Sequence, residues 1–240
     1  NLADGSRLKA RYWPRNAHLA FQMNVIKRLP SERFPAILAS TDQATLEQWI
    51  DGEIIGDSLT DRTVLPACGE LLGVIHNTKP PDSVPESVSS SLQEYERWLI
   101  EGLAHLTAIE SIDAEFARRV EHAAFASKPN SAAVGLIHRD FCGDNLVISE
   151  RLVRSIDNTS FAVGPFDADL ARTWYRWPMP AELWNAFLEG YAQQRESSSF
   201  RKYGNFWKAS VLIRAALMRI RSGLNDQAMI PLGRLHELFS

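Results

Sequence analysis

Asp140, Asn145 and Asp157 are three oxygen-bearing side chains that converge if the segment around them folds as its pattern dictates. An apolar run, AVGLIH, ends at His138, and a polar loop then presents Asp140. Asn145 opens a second run, NLVIS, and a third, LVRSID, ends at Asp157. Short aliphatic runs separated by polar loops read as strands. Two carboxylates and a carboxamide gathered at strand ends suit phosphoryl transfer from ATP. That reaction needs a carboxylate to accept or orient the acceptor hydroxyl, and hard oxygen ligands to hold magnesium on the phosphates, because its catalysis is mainly positioning and charge neutralisation. For each residue taken singly the alternative is a turn role, since Asp and Asn bond to nearby backbone.

The elements that must position these residues begin upstream. Asp4-Gly5 is a hairpin-turn pair, and SRLKARYW behind it alternates, with Leu8, Ala10 and Tyr12 on one face and Lys9 and Arg11 on the other. NAHLAFQMNVIKRL predicts a helix capped by Asn16, with Leu19, Met23 and Ile26 in its apolar stripe and its end near Pro30. AILAS and ATLEQWI read as short strands, the second broken by Asp51-Gly52. Helical periodicity runs from Ser58 to His76 and from Val88 to about Ala126, with the linker KPPDSVPESVSSS between, and after Pro165 the pattern is helical to Ser240. No internal repeat is present. The chain divides into a small β-rich part, residues 1–50, and a mainly helical part, residues 51–240, which carries the strand insert with loop 138–145 and segment 156–158.

The spacing H-x-D-x-x-x-x-N (His138, Asp140, Asn145), then Ile156-Asp157, then G-P-x-x-x-D-L-A-R (Gly164, Pro165, Asp169, Leu170, Ala171, Arg172) resembles the aminoglycoside phosphotransferase and choline kinase group of small-molecule kinases. LKAR at 8–11 resembles that family's lysine strand, RFPAIL at 33–38 and LEQWIDG at 46–52 its approach to the hinge, and LWNAFLEGY at 183–191 its late helices. The resemblance implies an α+β, protein kinase-like two-lobed fold with a small β-rich N-lobe and a mainly helical C-lobe. It also implies ATP and magnesium as cofactors and a small-molecule hydroxyl, aminoglycoside-, choline- or sugar-like, as acceptor. By the same resemblance Asp140 is the catalytic base and His138 a buried organiser of the catalytic loop. Asn145 and Asp157 hold magnesium, Lys9 contacts the nucleotide phosphates, and the backbone near Gln48 and Ile50 meets adenine.

Against protein kinases proper, Cys142 stands where a lysine is common, Asn158-Thr159 follows the metal aspartate in place of Phe-Gly, and no Ala-Pro-Glu segment follows. A small-molecule acceptor is the expectation. The sequence begins only a few residues before Lys9, so the glycine-rich loop expected there is not in it and the N-lobe reads as partial. The helix from Asn16 to Leu29 offers no Asp or Glu to pair with Lys9; Gln22 is its nearest polar substitute, and Arg11 on the same strand face is an alternative phosphate contact. These departures keep a second reading, a degenerate kinase-like module that binds nucleotide or a partner without turnover.

Composition narrows the remaining classes. With 45% hydrophobic and 23% charged residues and a formal charge of −3, the chain is of globular type and gives no electrostatic reason to expect nucleic acid. VLIRAALMRI at 211–220 is too short to span a bilayer and is interrupted by Arg214 and Arg219. Cys68 and Cys142 make neither a disulfide framework nor a CxxC pair, and the chain opens without an apolar signal region, so the cytoplasm is the expected location. Oligomeric state has no signature.

Trp174, Tyr175 and Trp177 suit either a cage for a quaternary ammonium or, at helical spacing, a core. Cys142 reads as a packed residue rather than a nucleophile. Asp169 is placed to support the catalytic loop from a helix start, and Asn158-Thr159-Ser160 matches a glycosylation acceptor by chance. From Ala181 to Ser240 there are five acidic residues against eight Lys and Arg, which favours a neutral, singly charged or anionic acceptor over a polycation.

Overall fold

The computed structural model describes residues 7–12, 18–56 and 63–240; the Asp4-Gly5 turn, the Asn16 cap and the helical start at Ser58 lie outside them. β1 (Leu8–Tyr12), β2 (Ile37–Ser40) and β3 (Ala44–Gln48) form an antiparallel sheet in the order β1-β3-β2. Register sets Lys9 opposite Glu47 and Arg11 opposite Thr45. The side chains of this sheet are arranged against hydrophobic logic. Tyr12 is 67% exposed and Ala10 is exposed, whereas Lys9 and Arg11 are half-buried and Thr45 and Glu47 are buried. A sheet that turns its charged face inward has charge partners there to match it.

Between β1 and β2 lies α1 (Leu19–Ile26), shorter than its sequence pattern. Its buried residues are Leu19, Phe21, Gln22 and Val25, so Met23 and Ile26 do not lead the packed face. The cause is Gln22, drawn inward by a hydrogen bond from its Nε2 to the Phe161 carbonyl at 2.9 Å.

Packing divides the chain into two compact units. The first holds the described residues of 1–89, with 135–164 and 176–196. It contains the sheet above and α2 (Leu65–Asn77) crossed by α6 (Ala181–Ala192). That crossing depends on glycine: a Cβ at Gly69 would overlap the Phe187 carbonyl oxygen, and one at Gly190 the Pro66 carbonyl oxygen. Two further sheets complete the unit. β4 (Glu53–Ile54), β6 (Leu146–Ser149) and β7 (Leu152–Ser155) pair antiparallel, and β5 (Val134–Ile137) pairs with β8 (Ala162–Pro165). β4 and β8 have no counterpart in the sequence pattern, because one is two residues long and the other ends in Gly164-Pro165, an ordinary loop signal.

The second unit, 90–134 with 165–175 and 197–240, is helical. α3 (Leu92–Ala108) starts on a capping box in which Ser91 and Glu94 exchange hydrogen bonds, and α4 (Ala114–Ala126) is capped by Asp113, whose carboxylate accepts from the Phe116 N–H at 2.7 Å. The continuous helical pattern from Val88 to Ala126 is thus broken between Ala108 and Ala114, where Glu110 turns the chain at a φ of 57°. α5 (Phe166–Arg176), α7 (Ser198–Arg221) and α8 (Asn225–Phe239) follow. Phe206, Trp207, Leu212, Ile213 and Leu99 are fully buried here, each contributing about 1.5–3 kcal/mol of burial. Among the described residues no helix is long and apolar enough to cross a membrane.

Candidate active site

Where β5 ends, the chain reverses abruptly. Arg139 has a φ of 65°, in the left-handed region that non-glycine residues enter rarely and at a cost of about 1–3 kcal/mol. The reversal lets the Asp140 N–H donate to Nδ1 of His138 at 3.3 Å. With Nδ1 accepting, the network assigns the proton to Nε2, which donates to Asn158 Oδ1 at 3.2 Å. Ser155 Oγ donates to the same Asn158 oxygen at 2.6 Å, and the Asn158 amide returns a bond to the Ser155 carbonyl at 3.1 Å. His138 is fully buried, with Phe141 and Phe161 edge-on to its ring. Its role is positional: it ties the 138–145 loop to the segment that carries Asp157.

The loop closes through Asn145. This residue ends a single 3-10 turn, Gly143–Asn145, and its Nδ2 donates to the Asp140 main-chain oxygen at 2.8 Å and to Asp140 Oδ2 at 3.2 Å. The other carboxylate oxygen, Oδ1, lies 3.1 Å from Nε of Arg176, the last residue of α5. A carboxylate offers about four lone-pair sites, so these contacts orient Asp140 and leave capacity for an incoming hydroxyl. Cys142 is buried on the same loop. Burial pushes its thiol up from the ordinary value and the Asp140 charge adds to this, with Arg176 opposing, so the group is a protonated packing element.

A second cluster gathers at Asp157. Lys9 donates to the Ile156 carbonyl at 3.3 Å, and Arg11 reaches Asp157 Oδ1 at 3.1 Å, where Thr159 Oγ1 also donates at 3.2 Å. Nε of Arg11 meets Glu47 Oε1 at 3.3 Å, and Glu47 also accepts from Thr45 at 2.9 Å. The acidic partner lacking on α1 is therefore supplied by β3, and its cation is Arg11. Both cations of β1 converge on residues 156–157, with no helical carboxylate needed.

The donor set fits magnesium. Asp157 keeps its second carboxylate oxygen outside the Arg11 and Thr159 contacts, and Asn145, whose amide nitrogen is engaged by Asp140, presents its oxygen as a neutral acceptor. One carboxylate and one carboxamide match an ion that keeps several waters and leans on substrate phosphates. Among the described residues no cluster of three His, Cys, Asp or Glu forms an all-protein cage. On the strand leading to the hinge, the Gln48 N–H is spent on the Ala36 carbonyl at 2.8 Å. Ile50 lies past the end of β3, outside the strand pairing that holds Gln48 opposite Leu8.

Residues 14–205 match the sequence model of the family described as "Phosphotransferase enzyme family". The chain belongs to this family. No curated protein matches it significantly. Solved structures extend the likeness to the fold. A choline/ethanolamine kinase family protein from Mesorhizobium loti superposes with a TM-score of 0.73 at 14% identity, covering 98% of this chain and 82% of that one. The macrolide 2'-phosphotransferase MphH from Brachybacterium faecium gives 0.67 at 15% identity, with 95% and 84% covered. An aminoglycoside phosphotransferase from Alicyclobacillus acidocaldarius gives 0.63 at 14%, with 99% and 86% covered. The fold is the α+β, protein kinase-like two-lobed fold, and family membership supports a small-molecule phosphotransferase.

Several features of this phosphotransferase family member were not readable from its motifs. Arg176, Glu47 and Asn158 all touch the site through contacts distant in sequence or, for Asn158, through burial that a glycosylation triplet does not announce; 6% exposed with its amide engaged at both ends, it is closed to modification. The register of β1 on β3 is the signal that points to Glu47. Of the aromatic cluster, Tyr175 and Trp177 are core and Trp174 is half-buried. Trp177 is 1% exposed and packs edge-on to Phe187, while Trp174 carries the chain's own cations, with Arg234 Cζ 3.8 Å and Lys208 Nζ 4.7 Å from its ring centroid. Asp169 is 2% exposed in the first turn of α5.

Proposed function

We propose that the chain is an ATP- and magnesium-dependent phosphotransferase that acts on a hydroxyl of a small molecule. The observation that carries this reading is the Asp140 carboxylate, held by Asn145 on one oxygen and Arg176 on the other, on a loop hydrogen-bonded through His138 to the segment of Asp157. In this mechanism Asp140 orients the acceptor hydroxyl and takes its proton as the bond from the acceptor oxygen to the terminal phosphorus of ATP forms and the bond from that phosphorus to the bridging oxygen breaks, releasing ADP. Lys9 neutralises nucleotide phosphate charge, and the Ile50 backbone meets the adenine edge, with Gln48 fixing the strand that leads there. Asp157 and Asn145 would hold magnesium, which supplies charge neutralisation on the phosphates. His138 stays neutral and keeps Asp140 in place.

The lobe boundary near Ile50, with nucleotide contacts before it and the catalytic loop after it, belongs to the same reading. So does a cytoplasmic location, supported by Cys68 and Cys142, both free and buried. Polycationic aminoglycosides are poor acceptors in this reading, on the charge balance of residues 181–240.

One observation favours the degenerate alternative. Both carboxylates of the site meet arginines of the chain itself, Asp140 with Arg176 and Asp157 with Arg11. The deciding experiment is a magnesium-dependent ATP-consumption screen across aminoglycosides, choline, sugars, amino alcohols and hydroxy acids, with intact-mass detection of phosphorylated product. A product from one acceptor sustains the enzyme. ATP binding that ignores magnesium, with no product from any acceptor, supports the module without turnover.

A further inference from the structure

Within the second unit, α3 and α7 border a cavity of about 630 Å³. The two helices approach closely at Gly102, where a Cβ would meet Ile213 Cγ2, and the cavity lies beside that contact, with Gly102 and Leu217 as its buried lining. One wall is built outward from the core. Fully buried Trp207 meets Tyr95 edge-on at 5.4 Å, Tyr95 meets Trp98 edge-on at 4.8 Å, and Arg214 Cζ lies 3.8 Å from the centre of the Trp98 ring. A guanidinium held at stacking distance on a ring that is itself packed loses little freedom when a ligand arrives.

Two further arginines line the same cavity. Arg97 makes one long contact, 3.9 Å to Glu94 Oε1, and the other oxygen of that carboxylate is committed to the α3 capping box. Arg221, the last residue of α7, makes no hydrogen bond or ion pair among the described residues. Glu101 also lines the cavity, and among the described residues its carboxylate pairs with none of the three guanidiniums. Three positive groups against one negative leave the cavity with two formal positive charges in excess, and low-dielectric walls concentrate that potential.

We propose that this cavity binds a small organic phosphate that also carries hydroxyl groups. Guanidiniums match phosphate oxygens in pairs, Glu101 accepts from ligand hydroxyls, and Leu217 and Met218 cover the carbon skeleton. The volume is in the range that holds small-molecule ligands. Every lining residue belongs to α3 or α7 of the second unit, whereas the Asp140 and Asp157 clusters are built in the first, so the proposal does not depend on the phosphotransfer reading.

A solvated basic face is the competing account, because exposed arginines need no ligand. Phenylglyoxal labelling of arginines, read residue by residue by peptide mass mapping, separates the two. The ligands are ribose 5-phosphate, glycerol 3-phosphate and AMP, with ribose and inorganic phosphate as controls, all in EDTA. At a concentration about ten times its dissociation constant, at least one of the three slows labelling of Arg97 and Arg221 about tenfold. Arg118 and Arg119, exposed on α4, label at an unchanged rate. In calorimetric titration Arg97→Gln and Arg221→Gln each weaken that ligand about tenfold, the scale of a hydrogen bond to a charged group. Glu101→Ala narrows its advantage over inorganic phosphate.

Protection of neither arginine by any of the three, equal protection of Arg118 and Arg119, or affinity unchanged in both glutamine variants overturns the proposal. Inorganic phosphate binding as tightly as the organic compounds overturns it too. So does binding of phosphatidic acid vesicles through Arg97 and Arg221 without binding of any soluble phosphate, which assigns the face to a membrane surface.

Discussion

Replacing Asp140 by Asn separates a catalytic carboxylate from a structural one. The side chain keeps its size but can no longer accept on both sides. One terminal atom still accepts, from Arg176 Nε or from Asn145 Nδ2, and the other becomes an NH2 that faces a donor across a gap of 3.1 or 3.2 Å. The second Asn145 bond, to the Asp140 main-chain oxygen at 2.8 Å, is untouched and continues to close the loop. Because the Asp140–Arg176 pair is about a third exposed on each side, its loss is discounted for solvent and costs about 0.5–1 kcal/mol. In a chain of this size that is a melting shift of no more than about 4 °C. Loss of a positioned base costs about 10²- to 10⁴-fold in rate. Magnesium-dependent ADP release with the acceptor found by screening, run beside differential scanning calorimetry, reads both quantities. Turnover within a few-fold of the unsubstituted chain would refute the assignment of Asp140. A melting point lowered by well over 10 °C, roughly three times that ceiling, would show that the loop depends on the carboxylate for structure and that rate loss cannot be read as chemistry.

Asp157→Ala and Asn145→Ala are each expected to weaken ATP binding about tenfold or more in magnesium buffer and to change it little in EDTA, measured by calorimetric titration; equal losses in both buffers would remove the metal-ligand role. Gly190→Ala drives a methyl group into the Pro66 carbonyl across the α2–α6 crossing, so urea unfolding should show a loss of about 1–3 kcal/mol or more, whereas Gly233→Ala, with open space around it, should be neutral or stabilising. Burial raises both thiols, Cys68 most strongly. The unfolded chain therefore releases those protons above the ordinary value of 9.0 while the folded chain retains them, and this contribution to stability is present below that pH and lost as pH rises beyond it. The urea midpoint should fall between about pH 8 and about pH 10, and fall less in Cys68→Ala; an identical pH dependence in that variant would contradict the burial argument.

What the sequence determined by itself is what short-range spacing controls. Asn145 lies five residues past Asp140, close enough that one loop joins their side chains, and the apolar runs on either side leave that loop little choice of position. The HxD, Ile156-Asp157 and DLAR spacings accordingly carried the family and the fold, and the helical patterns read from Val88 to about Ala126 and after Pro165 became helices, the first starting at Leu92 and broken between Ala108 and Ala114, because their apolar stripes had a core to bury. The tertiary structure decided which charges meet. Arg176 reaches Asp140 from 36 positions away and Arg11 reaches Asp157 from 146, and these encounters depend on how a helix end and a strand face are placed by packing. Alternation in β1 separated its basic face from its apolar one, but not which of them turns inward. Hydrophobicity alone would have buried Tyr12. The buried Glu47 across the sheet reversed that preference, because desolvating a carboxylate without a cation costs more than exposing one ring.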